Sequence, residues 1–131
     1  MKAAAGGPAP SPTEAELELL GVLWRLGSAT VREIHEAMAA TKGVGYTTVL
    51  KQMQVMHHKG LVERSERYRA HVYRPAEPRE RTRRRLAQRL LKRAFDGSAR
   101  ELLVSALGGR RVDETELDEI RALLDEIGEG R

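Results

Sequence analysis

Apolar residues recur at helical spacing in the first part of the chain, lose that spacing after Gly60, and regain it beyond Arg79. In the opening block Leu17, Leu20, Val22, Leu23 and Trp24 make the apolar positions. The motif TEAE at 13–16 reads as a capping box, in which a threonine and the glutamate three residues on satisfy each other's free N–H groups. The pattern predicts a helix over about 14–26, ended by Gly27 and Ser28. A second box, TVRE at 30–33, opens a helix over about 31–40 with Val31, Ile34, Ala37 and Met38 inward. Gly43 and Gly45 break the chain before a third helix, about 46–59, whose apolar stripe is Val49, Met53 and Met56. Helix, short turn and helix with apolar stripes form the helix-turn-helix pattern.

After Gly60 the runs LVER at 61–64 and AHVY at 70–73 read as short strands joined by the polar residues 65–69. A hairpin directly behind such a helix is a wing. Its turn carries no Asn-Gly signal, which leaves the register open. Pro75 and Pro78 then close this domain. A long basic helix runs from Arg79 to about Phe95, with Leu86, Leu90, Leu91, Ala94 and Phe95 on its apolar side. The boxes SARE at 98–101 and DETE at 113–116 open two more helices. Three amphipathic helices of this size carry more apolar surface than they can hide alone. They fold back on the first domain or, the reading we favour, pack against a second copy of the chain. The interface expected is Leu102, Leu103, Leu107, Leu117, Ile120, Leu124 and Ile127. The architecture expected is mainly α with a small β-hairpin: a disordered leader at 1–11, a winged-helix domain at 12–77 and a helical dimerisation domain at 78–131.

Charge sharpens this division. Between 79 and 100 there are 9 basic and 2 acidic residues; between 101 and 131 there are 4 and 9. A basic middle and an acidic end point to one part that faces a polyanion and another that avoids it. With no cysteine among the 131 residues, disulfides, thiolate metal sites and cysteine nucleophiles are excluded, in keeping with a reducing cytoplasm. No apolar run approaches the length of a membrane span, and the leader lacks the apolar core of a signal peptide. An enzyme is not expected: there is no Gly-x-Ser-x-Gly elbow and no carboxylate pair beside a plausible pocket. Nor is a metal or cofactor. His57 and His58 are adjacent and diverge by about 100° on a helix, and Gly43 and Gly45 lack the rest of a nucleotide-binding motif.

The candidate contact surface is the outer side of the third helix. Thr47, Thr48, Lys51, Gln54 and His58 lie off the apolar stripe and offer hydrogen-bonding groups with no acid among them, which suits a helix in the DNA major groove. A merely solvated helix would carry similar residues; the hairpin that follows decides for DNA. Tyr46 either touches a phosphate or packs on the second helix. Arg64, Arg67 and Arg69 of the hairpin suit phosphate or minor-groove contacts, with Glu63 and Glu66 diluting their field. The basic run from Arg79 to Arg93 is either a flanking phosphate contact or a solvated face.

In this order the elements resemble the penicillinase-repressor family, the BlaI/MecI-type winged-helix regulators. The resemblance rests on PTEAEL (12–17), VLW (22–24), ATVREI (29–34), YTTV (46–49), KGLV (59–62), RAHVY (69–73), FDGS (95–98) and LLV (102–104), and covers about residues 12–127. It implies a homodimeric transcriptional repressor, bound through winged-helix domains to a double-stranded operator of two similar half-sites. Val55 stands where the family often has a basic residue, and Gln52 where it often has an apolar one. The stretch VSAL (104–107) lacks the Asn-Phe bond cut by a protease in β-lactam-responsive members. The copper-responsive relatives' cysteine ligands are absent too, so the resemblance names no inducer. A protein-interaction module that has lost DNA reading is the alternative that Val55 raises.

Overall fold

Three helices bury their apolar stripes against one another and against a small sheet. A computed structural model describes residues 11–67 and 69–130; the leader expected at 1–11 falls, apart from Ser11, outside them. The elements follow in the order α1 (Glu14–Leu26), β1 (Ala29–Thr30), α2 (Val31–Ala39), α3 (Tyr46–Lys59), β2 (Val62–Arg67), β3 (Ala70–Pro75), α4 (Arg79–Phe95), α5 (Ala99–Leu107) and α6 (Glu114–Glu129). Two compact units result, one through Leu86 and one from Ala87.

Both early capping boxes form as the sequence dictates. Thr13 accepts the Glu16 N–H while the Glu16 carboxylate accepts that of Thr13, and Thr30 and Glu33 repeat the arrangement. The two later ones form only in their forward half. Ser98 accepts from the Glu101 N–H, but the Glu101 carboxylate turns to Arg100. Asp113 accepts from the N–H of Thr115, two residues on instead of three. Gly60 ends α3 at φ 85°, a left-handed backbone that glycine adopts without a Cβ penalty. From there its N–H reaches the His57 carbonyl at 3.1 Å and the Leu61 N–H reaches that of Met56 at 2.9 Å. The chain thus turns sharply from helix into wing.

The sheet is larger than a hairpin. β1 pairs antiparallel with β3, Ala29 opposite Tyr73, giving the strand order β1-β3-β2. A two-residue strand has no periodicity to show, so this one was invisible in the sequence. The wing strands also run further than expected. β2 continues to Arg67, and Arg67 pairs with Ala70, so residues 65–67 belong to the ladder instead of the turn. Their polarity reflects two solvated faces at the wing's outer end; near its root Arg74 bonds Glu63 across the strands at 2.9 Å. Arg69 sits at φ 66°, which a side chain rarely adopts outside tight turns.

The core of the first unit is aliphatic: Leu19, Leu20, Val22 and Leu23 of α1, Val31, Ile34 and Met38 of α2, Val49, Met53 and Met56 of α3, then Leu61, Val62 and Tyr73. Leu19, not Leu17, lies inside, because the stripe of α1 runs through Glu16, Leu19, Leu20 and Leu23. In the second unit α5 and α6 bury no residue. Leu103, Leu124 and Ile127 are exposed there; Leu102, Leu107, Leu117 and Ile120 are half-buried. No described helix is long and apolar enough to cross a membrane.

Two substitutions test this packing. Met53→Ala removes a fully buried side chain and should cost about 2–5 kcal/mol in urea unfolding. Among the described residues the buried Tyr73 hydroxyl has no hydrogen-bond partner, so Tyr73→Phe should leave stability unchanged or raise it, by up to about 1–3 kcal/mol. A clear loss on Tyr73→Phe would mean that the hydroxyl is satisfied after all.

Candidate nucleic-acid interface

The inner and outer sides of α3 are separated by half a turn of helix. Val49, Met53 and Met56 are fully buried. At about 100° per residue, Thr47, Lys51, Gln54 and His58 fall within an arc of about 60° on the opposite side and span about 16 Å along the axis. All four are exposed, as is Thr48 beside them. Val55 shares that side at 41 % exposure, whereas Gln52 is half-covered. The helix carries no acidic residue, so nothing on it opposes an approaching phosphate. Tyr46, 46 % exposed, stands edge-on to the His35 ring of α2 at 5.8 Å. Of its two expected roles, packing on the second helix is met, and the ring still keeps an open side.

The wing divides its arginines. Residues along a strand alternate faces, so Arg64 and Arg67 point to opposite sides of β2. The Arg64 charge is felt by His57 of α3, and that of Arg67 by Glu33 of α2. Arg64 therefore joins the side of the hairpin that faces the end of α3, while Arg67 does not. Arg64, Arg67 and Arg69 are all exposed. His57 is half-covered; burial first, then the charges of Arg64, His71 and His58, hold its pKa below the ordinary 6.5, so it is neutral near pH 7.

One contact that matters was not foreseen from the sequence. Glu16, 5 % exposed, caps α1 and also accepts Lys59 Nζ from the last turn of α3 at 2.7 Å. Burial alone would raise its pKa, but the Lys59 ammonium and the Thr13 N–H and hydroxyl outweigh it and hold the carboxyl below its ordinary 4.5. The capping box announced Glu16 at the helix start; the only signal for the Lys59 contact was that this glutamate stands at an apolar position of the helical stripe. Among the described residues no group of three or more His, Asp or Glu side chains is placed to hold a metal.

Helix-turn-helix, wing and short third strand together are a winged helix-turn-helix domain. The solution structure of the DNA-binding domain of the repressor BlaI has this fold, with a TM-score of 0.51 at 24 % identity over 60 % of this chain and 90 % of that one. The penicillinase repressor family model matches residues 12–126, and the protein belongs to that family. It is also 35 % identical over 117 residues to the transcriptional regulator BlaI of Mycobacterium tuberculosis, in strains CDC 1551 and H37Rv alike. That match takes in 88 % of this chain and 83 % of BlaI.

The Glu16 joint predicts a pH dependence. A carboxyl whose pKa falls on folding contributes stability above its unfolded value near 4.5, and that contribution is lost as pH drops through the folded value. Between about pH 5 and pH 3 the wild type should therefore lose more stability than Glu16→Gln. Parallel urea titrations check this; equal losses would show that Lys59 does not hold the carboxylate.

Proposed function

We propose that the protein is a sequence-specific DNA-binding repressor that acts as a homodimer on an operator of two similar half-sites. The observation that carries this reading is the acid-free, exposed stripe Thr47, Lys51, Gln54 and His58, set directly opposite the buried Val49, Met53 and Met56. A helix anchored on one side by its core and bare of negative charge on the other can enter the major groove. There Lys51 meets guanine acceptors, Gln54 pairs with adenine, and Thr47, Thr48 and Val55 meet thymine methyls. His58, and Tyr46 at the helix start, reach flanking groups. Arg64, Arg67 and Arg69 hold phosphates or the minor groove from the wing. Residues 12–77 are the reading part and 78–131 the pairing part.

The pairing half of the proposal rests on α5 and α6. Leu117, Ile120, Leu124 and Ile127 fall within about 80° of the circumference of α6, a continuous apolar face, with Leu124 52 % and Ile127 50 % exposed. With Leu102, Leu103 and Leu107 of α5 this is surface that a second copy would cover, each side chain contributing at most about 1.5–3 kcal/mol. Replacing Leu124 and Ile127 together by aspartate should give a monomer in sedimentation and weaken operator binding about 100-fold or more, since the second half-site no longer binds intramolecularly. A dimeric double variant would refute this interface.

Reading and holding separate by mutation. Lys51→Ala and Gln54→Ala should each cost about 1–3 kcal/mol and change the motif recovered in binding-site selection. Arg67→Ala or Arg69→Ala should weaken binding alike on all sequences and reduce the slope of log affinity against log salt by about one. Unchanged motifs and affinities in the two helix variants would show that α3 is not the reader. The exposed Val55 favours a second reading, a protein-interaction module, and that reading requires no measurable binding to duplex DNA at low or high salt.

A further inference from the structure

The segment that leads from the wing into α4 is tied to the winged-helix core through Glu77. Trp24 on α1 donates its indole N–H to the Glu77 main-chain carbonyl at 3.1 Å. The Glu77 carboxylate accepts the Thr82 hydroxyl at 2.7 Å and pairs with the Arg85 guanidinium. Thr82, 2 % exposed, is the one buried residue of α4, and Glu77 and Arg85 are themselves mostly covered. Arg85 Nε is buried there and has no hydrogen-bond partner among the described residues, so part of its guanidinium has left water in making this pair.

The start of α4 has little else to hold it. Its first seven residues, RERTRRR, contain no apolar side chain, and Leu86 is the first. Arg79, Arg81, Arg83 and Arg84 are exposed and repel one another. Apolar packing, which seats α1, α2 and α3, cannot seat this turn. A carboxylate shared by a hydroxyl and a guanidinium in a covered place is the stronger kind of polar contact, and it has a fixed geometry.

We propose that Glu77 is a positioning residue: it fixes the first two turns of α4 on the winged-helix domain and so sets the distance at which two copies can occupy two half-sites. This rests on the homodimer reading above. α4 is one helix through Phe95, and the proposed pairing residues follow it, so any freedom at residues 76–78 would pass directly into half-site separation. In two-fold complexes that separation is a geometric property of the protein, and five extra base pairs turn one half-site by about half a helical turn.

The test uses the full chain and duplexes carrying one selected half-site, or two at the preferred separation and with two to five base pairs inserted. Wild type should lose at least about 10-fold in affinity at the five-pair insertion. Glu77→Ala should lose less than about 3-fold across the series, yet bind the single half-site within about 2-fold of wild type. Glu77→Gln, which keeps an acceptor for Thr82 but not the charge for Arg85, should fall between, and Thr82→Val should follow Glu77→Ala. Trp24 is the chain's one tryptophan, and its emission should shift to the red in Glu77→Ala without DNA. A wild-type spacing profile in Glu77→Ala overturns the inference. So does an equal loss on the single half-site, which would make Glu77 part of the general fold. A wild type that is monomeric, or indifferent to spacing, removes the two-half-site reading itself, and this is known before any variant is made.

Discussion

The burial of Val49, Met53 and Met56 is the interaction on which the rest of the molecule depends. These three side chains face the stripes of α1 and α2, and their complete removal from water fixes the rotation of α3 about its own axis. Once that rotation is set, Thr47, Lys51, Gln54 and His58 have nowhere to point except outward. Hydrophobic burial thus decides which residues of α3 are left facing solvent. A slip of one residue in the inner stripe would replace the outer row with a different one.

A second constraint acts at the far end of the same helix. Glu16 lies in the first turn of α1 and holds Lys59 in the last turn of α3, so the two helices are tied at a point remote in sequence. Immediately after Lys59, Gly60 turns the chain into β2 through a pair of backbone hydrogen bonds. Helix end, polar joint and wing root therefore occupy three consecutive residues. Arg64 sits four residues further on, near enough for its charge to act on His57. The side of the wing that accompanies the helix is thus placed by short covalent distance and a part-buried ion pair, while Arg67, on the other side of the strand, is not.

Much of this was legible in the sequence because helix signals are local. The boxes at Thr13 and Thr30 and the stripe of α3 need only four to eight residues to declare themselves. What escaped was long-range or too short to have a period. β1 exists because Ala29 and Thr30 meet Val72 and Tyr73, more than forty residues away. The wing's outer strand residues looked like a turn because both of their faces are wet. Glu16 hid inside an apolar stripe as an apparent exception, which displaced the reading of α1 toward Leu17 and away from Leu19. The links of Glu77 to Trp24, Thr82 and Arg85 leave no pattern in a linear reading at all, since Trp24 reads as an apolar core position and Thr82 and Arg85 are of types that ordinarily face solvent. The outward position of Thr47, Lys51, Gln54 and His58 was legible because it is the complement of the easiest signal in the chain.

The choice of methionine under α3 gives that helix a particular kind of seat. Met53 and Met56 are unbranched thioethers with several rotatable bonds, and no aromatic ring of α1 or α2 lies fully buried against them. Such side chains refill a gap after a small displacement at little cost, where branched or aromatic neighbours would resist it. The helix is consequently held firmly in rotation but on a compliant bed. A small displacement of the helix along its seat would therefore cost the core little.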